Sequence, residues 1–183
     1  MPDPRIKTSK FLSYVLRHKP ESIGLTLDSG GWAETQVLID LANTAGKQLT
    51  LEQVQDVVAW NAKQRFSFSP DGRRIRAVQG HSIAVDLKLE PVQPPESLFH
   101  GTAKHSLDSI LDKGLLKMRR QHVHLSLDVD TASAVGRRHG ELVVLTVAAG
   151  AMCRDGHEFF RSENGVWLVD HVPPMYLSLT GDG

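Results

Sequence analysis

Apolar residues in the first third of the chain recur at the spacing of amphipathic helices, and they predict three of them. The first is capped by Thr8 or Ser9 and runs to about His18. The second ends near Gly46, and the third opens with the capping box Thr50–Gln53. The apolar positions that carry these periods are Phe11, Leu12, Val15, Leu16, Val37, Leu38, Leu41, Leu51, Val54, Val57 and Val58.

A change to alternating residues follows the helices. Residues 65–68 and 73–78 alternate on either side of Pro70, Asp71 and Gly72, which predicts a β-hairpin with phenylalanines buried and arginines on the other face. Three helices followed by a hairpin is the winged-helix arrangement, although a fold alone does not establish nucleic-acid binding. The arginines fit two hypotheses, a solvated edge protected by charge or a ridge that faces phosphates.

The second half of the chain is predicted to form a separate α+β lobe. Residues 88–97 contain three prolines and form the best linker, which separates a domain at 1–90 from one at 91–183. Helices are predicted at 105–113, with Leu107, Ile110 and Leu111 facing inward, and after a cap at Asp128 or Asp130, through Val135. Short strands are predicted at 98–100, 122–126, 142–147, 159–160, 166–169 and 176–179.

Composition excludes several classes of protein. The 183 residues carry 21 basic and 21 acidic side chains, so the chain does not coat nucleic acid by bulk charge. Its one cysteine, Cys153, excludes an internal disulfide. No apolar run is long enough to span a membrane, and the N-terminus has no signal-peptide pattern. We therefore expect a cytoplasmic protein without a membrane partner, and a monomer.

The segment with the most chemistry is Lys117–Ser126. Its alternation places His122, His124 and Ser126 on one strand face, beside two arginines. Two histidines at this spacing can share a metal, but no third ligand stands at motif spacing, so we predict no metal. Walker, Rossmann and Gly-x-Ser-x-Gly motifs are absent. Converging arginines without carboxylate partners imply an anionic ligand, and a phosphate monoester fits them.

Arg17 and His18 close the first helix and allow two interpretations. Cations at a helix C-terminus interact favourably with the helix dipole, which is a purely structural role. They also match a longer pattern, because the chain resembles the RNA 2′-phosphotransferases of the KptA type over nearly its whole length. The matching stretches are residues 9–18, 65–66, 75–82, 100–102, 118–126, 164–168 and 172–174.

The resemblance implies an N-terminal winged-helix lobe and a C-terminal ADP-ribosyltransferase-like lobe. It also implies that NAD accepts an internal RNA 2′-phosphate in two steps, ADP-ribosylation with loss of nicotinamide and then transesterification. The products would be 2′-hydroxyl RNA and ADP-ribose 1″,2″-cyclic phosphate. The RNA substrate would be a tRNA or another ligated RNA. No metal is expected, because three arginines already supply the positive charge that a metal ion would provide.

Site residues follow from the matching stretches. The catalytic tetrad falls on Arg17, His18, Arg65 and Arg120. NAD binding falls on His100, Gly101, Thr102, His124, Leu125, Ser126, Gly136, Arg138, His139 and Gly140. RNA contacts fall on Lys10, Arg76, Gln79, Gly80, His81 and Ser82. Phe99 departs from the family, where a tyrosine often stands, and this should not alter the step chemistry.

Two alternatives remain open from the sequence. One is an ADP-ribosyltransferase that leaves ADP-ribose on nucleic-acid phosphate ends. The other is a non-catalytic winged-helix nucleic-acid binder whose second lobe is degenerate. The intact His100–Thr102 and His122–Ser126 segments weigh against the second alternative.

Overall fold

A computed structural model describes residues 3–60 and 63–181, and its chain divides into two compact units. Unit 1 ends at Lys88 and unit 2 begins at Leu89, two residues before the domain boundary predicted from the sequence. In the described backbone, residues 88–97 form neither helix nor strand. The fold of the described chain mixes helices and antiparallel sheets, so the α+β class is confirmed.

The helices of unit 1 are α1 (Pro4–Arg17), α2 (Thr35–Thr44) and α3 (Leu51–Trp60). The predicted start of α1 at Thr8 or Ser9 is wrong. Asp3 is the N-cap, accepting a hydrogen bond from the Arg5 amide at 2.9 Å, and Pro4 takes the first helical position, where its missing N–H costs nothing. Ser9 instead lies in the middle of the helix and is buried.

The predicted capping box of α3 is confirmed. The Gln53 amide donates to Thr50 Oγ1 at 3.2 Å, and the Thr50 amide donates to Gln53 Oε1 at 3.0 Å. Each side chain satisfies a backbone donor that the first helical turn leaves without a partner.

The predicted hairpin is also present, as β2 (Phe66–Phe68) and β3 (Arg74–Ala77). A short strand that the sequence pattern did not predict, β1 (Ala33–Glu34), pairs with β3 on its other side, so the antiparallel order is β1-β3-β2. Phe66 is buried and Phe68 is partly buried against the same core, as the alternation predicts. That core joins the apolar faces of the three helices to the buried face of the sheet.

Unit 2 is built mainly from short strands. Its strands are β4 (Leu98–Ala103), β5 (Leu115–Leu116), β6 (Val123–Leu125), β7 (Leu142–Val147), β8 (Phe159–Arg161), β9 (Trp167–Val169), β10 (His171–Val172) and β11 (Leu177–Leu179). Its helices are α4 (Leu107–Lys113), α5 (Val129–Gly136) and α6 (Ala149–Arg154). In the described chain the strands of unit 2 form antiparallel sheets of order β11-β7-β4, β6-β9-β8 and β10-β5.

The predictions for unit 2 need three corrections. Helix α6 and strands β5 and β10 were not predicted, because each is too short to show a period. Leu111 does not face inward, since 45% of it is exposed, whereas Leu107 and Ile110 pack against the core. Asp128, not Asp130, caps α5, accepting from the Thr131 amide at 2.6 Å.

Two glycines bring α5 directly against β4. A Cβ added at Gly101 would lie 1.8 Å from the carbonyl oxygen of Ala132, and one added at Gly136 would lie 2.9 Å from the Gly101 carbonyl carbon. Both positions are buried, and only residues without a side chain permit this backbone approach. The contact fixes the helix beside the strand that carries His100.

Candidate functional site

The end of α1 brings the first two predicted catalytic residues against a distant loop. Ser82 lies 64 residues beyond His18, yet its Oγ is 2.9 Å from His18 Nδ1. The Ser82 amide also donates to the Arg17 carbonyl at 2.9 Å, which satisfies one of the last orphan acceptors of the helix. Ser82 therefore fixes both the end of α1 and the orientation of the His18 ring.

His81, which was predicted to contact RNA, is the residue before Ser82. Only 1% of the residue is exposed, and neither ring nitrogen has a hydrogen-bond partner among the described residues. Burial, together with the nearby charges of Arg17, His18 and Arg76, lowers the pKa of His81 to about 4. The ring is therefore neutral at physiological pH, and the charged groups that act on it are all basic.

We call Arg17, His18, Arg76 and His81 the unit 1 cationic cluster. Like charges that lie close together repel one another. A phosphate group would convert that repulsion into attraction, because guanidiniums and imidazoles donate charge-assisted hydrogen bonds to its oxygens.

The outer face of β3 carries a second feature, which the sequence interpretation missed. The guanidinium carbon of Arg76 lies 4.5 Å from the centre of the Trp32 ring, and that of Arg74 lies 5.5 Å from it. Asp28 holds the loop in place, accepting from the Gly30 and Trp32 amides at 2.9 Å each. An isolated tryptophan after two glycines is a weak sequence signal, and only the β1–β3 pairing places it under the arginines.

The remaining predicted residues of unit 1 lie around this face in different environments. Arg65 is half-buried next to β2, and its carbonyl accepts from the Val78 amide at 3.1 Å. Gln79 and Gly80 follow β3 and are partly buried, with Gly80 at a φ of 86°. Lys10 is exposed on α1.

In unit 2, a relay of polar contacts links three predicted residues. His100 Nδ1 lies 3.1 Å from the carbonyl oxygen of His124, and Arg120 Nη1 lies 3.2 Å from His124 Nδ1. A carbonyl only accepts and a guanidinium only donates, so the proton of His100 is on Nδ1 and the Nδ1 of His124 accepts. We call these three side chains the unit 2 relay.

The electrostatics of the relay keep His100 neutral. Burial lowers the pKa of His100, and the charges of Arg120 and His139 act in the same direction, against the hydrogen bond to His124. With its proton on Nδ1, the ring presents Nε2 as an acceptor. A half-buried neutral acceptor of this kind suits a hydroxyl group of a sugar.

Strand β6 shows the alternation that the sequence predicts. Val123 and Leu125 are buried in the core, and His122, His124 and Ser126 are partly exposed on the other side. Ser126 continues toward β4, exchanging two backbone hydrogen bonds with Phe99 at 2.8 and 2.9 Å. Leu125 was predicted to bind NAD, and because its side chain packs inward only its backbone is available to a ligand.

The other predicted NAD-binding residues divide between packing and surface positions. Gly101, Thr102 and Gly136 are buried where α5 meets β4. Residues 138–140 are exposed just after α5, where Gly140 has a φ of 142°.

The possible metal pair of the sequence, His122 and His124, has separate partners. The His122 ring packs against Phe160 at 5.7 Å between centroids, whereas His124 faces the Arg120 guanidinium. Within residues 3–60 and 63–181, no group of three histidine, cysteine or acidic side chains is placed to hold a metal. The absence of a metal requirement stays a prediction.

In the part of the chain that the structure describes, no helix is both long and apolar enough to cross a membrane.

These features define an α+β protein with basic residues gathered on one unit and a histidine–arginine relay on the other. Residues 3–171 match the family model described as RNA 2′-phosphotransferase, Tpt1 / KptA family. The chain belongs to this family, and the predicted resemblance is confirmed.

Individual relatives match almost end to end. The chain is 57% identical over 175 residues to a "Probable RNA 2′-phosphotransferase" of Agrobacterium fabrum, covering 96% of this chain and 94% of the relative. It is 56% identical over 176 residues to a protein of the same name from Acaryochloris marina, covering 96% and 97%. A third, from Hahella chejuensis, is 54% identical over 178 residues, covering 97% and 96%.

Proposed function

We propose that the chain is an NAD-dependent RNA 2′-phosphotransferase whose unit 1 is a winged-helix RNA-binding lobe and whose unit 2 is an ADP-ribosyltransferase-like lobe. Family membership and the names of the relatives support the transfer of an RNA 2′-phosphate. The observation that carries the proposal is the unit 1 cationic cluster, where basic groups surround a buried neutral imidazole.

The arginines act on the phosphate by position and by charge. A phosphate monoester is already an anionic nucleophile, so it needs no general base, only orientation beside the acceptor carbon. Charge then builds on the phosphoryl oxygens during transfer, and guanidiniums stabilise it. The proposal assigns this work to Arg17, Arg65 and Arg120, with Arg120 held by His124.

His18 is the proposed proton-transfer residue. With Nδ1 placed against the Ser82 hydroxyl, proton exchange with the ligand falls to Nε2. A proton is needed on the departing RNA O2′, and one must leave the attacking sugar hydroxyl. His18 is exposed at the end of α1, as a group that meets a ligand must be.

The residues of unit 2 fit NAD by their chemistry. The Nε2 of neutral His100 accepts from a ribose hydroxyl, and the partly exposed Ser126 offers a hydroxyl group. Arg138 supplies a cation for a diphosphate. When bound, NAD supplies the acceptor: its nicotinamide ribose takes the phosphate as nicotinamide leaves, and the 2″-hydroxyl of that ribose then displaces the RNA O2′.

One experiment tests the proposal. An RNA oligonucleotide with one internal 2′-phosphate is incubated with the protein in EDTA, with and without NAD. We expect 2′-hydroxyl RNA and ADP-ribose 1″,2″-cyclic phosphate only in the sample that contains NAD. Stable ADP-ribosylated RNA as the sole product would instead identify a transferase that stops after one step, and no reaction would leave a non-catalytic binder.

A further inference from the structure

The outer face of the unit 1 sheet carries a structure that none of the proposed catalytic steps uses. Arg74 and Arg76 project from the same side of β3, two residues apart, while Ile75 and Ala77 between and beside them are buried. Both guanidiniums lie over the ring of Trp32. We call Trp32, Arg74 and Arg76 the Trp32 platform.

We propose that the Trp32 platform binds the backbone of the RNA strand beyond the nucleotide that carries the 2′-phosphate. This rests on the proposed function for the identity of the RNA. It adds a subsite built from Trp32 and Arg74, which contacts neighbouring nucleotides rather than the reacting group.

Arg76 connects the platform to the reacting group. Its charge acts on His81, inside the unit 1 cationic cluster, and its guanidinium lies over Trp32. Arg74 is two residues further along the strand, a step of about 7 Å. A nucleic-acid strand whose 2′-phosphate enters the cluster would therefore continue across the platform.

The indole ring keeps the arginines in place for this task. A flexible arginine loses side-chain entropy when it binds, and a guanidinium already stacked on an aromatic ring loses less. Asp28 adds to this by accepting from Arg74 Nη1 at 3.3 Å. That contact uses one of the five donors of the guanidinium, and 43% of the Arg74 side chain remains exposed.

Asp28 supports the platform from the side of the Trp32 loop. Its Oδ1 accepts from two backbone amides of the Trp32 loop and its Oδ2 faces Arg74, so the carboxylate is engaged in holding the platform together. Arg74 keeps further donors beyond its contact with Asp28, and Arg76 places a second guanidinium over the same ring. Arg73, exposed at the hairpin turn, provides an arginine on the same hairpin that stacks on no ring of the residues described.

The test is binding of fluorescein-labelled RNA, measured by anisotropy without NAD. The probes are a hexanucleotide with a central 2′-phosphate, the same hexanucleotide without it, and a dinucleotide with it. We expect Arg74→Ala to weaken both hexanucleotides about fivefold and to lower the salt slope by about one, because one phosphate contact is lost. Binding of the dinucleotide should stay within about twofold.

Arg73→Ala is the matched control and should change none of the three affinities by more than about twofold. Arg74→Lys should fall between wild type and Arg74→Ala, since lysine keeps the charge but not the stacked plane. Equal losses in Arg73→Ala and Arg74→Ala, or none in Arg74→Ala, would overturn the proposal. A protein without NAD-dependent turnover would contradict the proposed function while leaving this binding test valid.

Trp32 supplies an independent measurement. Its emission should change when the hexanucleotide binds, and Trp32→Phe should lose that change while Trp60 and Trp167 still report on the rest of the protein. Thermal unfolding of Trp32→Phe verifies that it is folded. An unchanged difference spectrum in this variant would show that RNA does not reach the platform.

Discussion

The two units hold their candidate residues in opposite ways. In unit 1, basic side chains gather around His81, and their charges contribute to its lowered pKa. In unit 2, hydrogen bonds orient the side chains of the relay, and close backbone packing at Gly101 and Gly136 holds the supporting strand. The unit 1 residues are grouped by positive charge, which suits a phosphate, and the unit 2 residues are fixed by hydrogen bonds and packing, which suits a dinucleotide.

Gly101→Ala tests the geometric side of this comparison and should have the largest effect. Its Cβ would lie 1.8 Å from a backbone oxygen that no side-chain rotation can move, so we expect unit 2 to lose more than about 4 kcal/mol or fail to fold. Gly156→Ala is the control, because a Cβ there meets open space and only its φ of 95° adds strain. Urea unfolding measures both, and similar losses in the two variants would contradict the packing argument.

Arg120→Ala tests the relay itself. We expect kcat/KM for 2′-phosphorylated RNA to fall about a thousandfold, the usual consequence of removing a group that stabilises transition-state charge. Arg119→Ala should reduce it less than about threefold, since the contact to His124 belongs to Arg120. Comparable losses from the two substitutions would show that the tetrad has been placed on the wrong arginine.

His81 tests the electrostatic side through stability. Its pKa of about 4 in the folded chain lies below the ordinary value of 6.5. Between these pH values the imidazole is protonated in the unfolded chain and neutral in the folded chain. The contribution of His81 to the free energy of unfolding is therefore fully present above pH 6.5 and falls by about 3 kcal/mol as the pH drops toward 4. His81→Gln should remove the part of that slope that His81 contributes and leave the part due to His100, whose pKa burial also lowers.

The comparison uses urea unfolding between pH 4.5 and 7.5. His105→Gln, at an exposed position of unit 2, is the control and should keep the wild-type slope. Asp3 and Asp71 have pKa values lowered from 3.8 by hydrogen bonds, from Arg5 and from Ser69 respectively, and so titrate below this window. A His81→Gln profile parallel to wild type would mean that the buried ring is not the source of the slope.

The smallest effect belongs to a feature that serves the fold alone. Thr50→Ala should cost about 1 kcal/mol by removing the cap of α3. Turnover at saturating substrate should stay unchanged, since this end of α3 contributes no residue to the proposed site. A loss of kcat in a variant that remains folded would break the separation between scaffold and site in unit 1.

Sequence patterns predicted local features well, because their causes are local. The capping box at Thr50 and Gln53 and the alternation of β6 depend on residues at most a few positions apart. The start of α1 was predicted wrongly because Thr8 and Ser9 have side chains suited to a cap. Asp3 followed by Pro4 is equally suited, and a helix that begins there is longer. Helix α6 has six residues, too few for a helical period.

Features of the site that arise between distant segments were beyond pattern analysis. The His18–Ser82 contact joins positions 64 residues apart, and the stacking of Arg74 on Trp32 depends on a strand of two residues. The resemblance named Arg17, His18 and Ser82, but it did not supply the burial that makes His81 neutral. Trp32 belonged to none of the matching stretches.

The two hydrophobic cores are assembled from separate stretches of the chain, one from positions 11–77 and the other from positions 98–177. Each half thus contains the apolar residues that its own interior requires. Gene fragments encoding either half should accordingly yield a foldable polypeptide. Chimaeras that join this N-terminal half to the C-terminal half of a relative would then show which half dictates RNA preference.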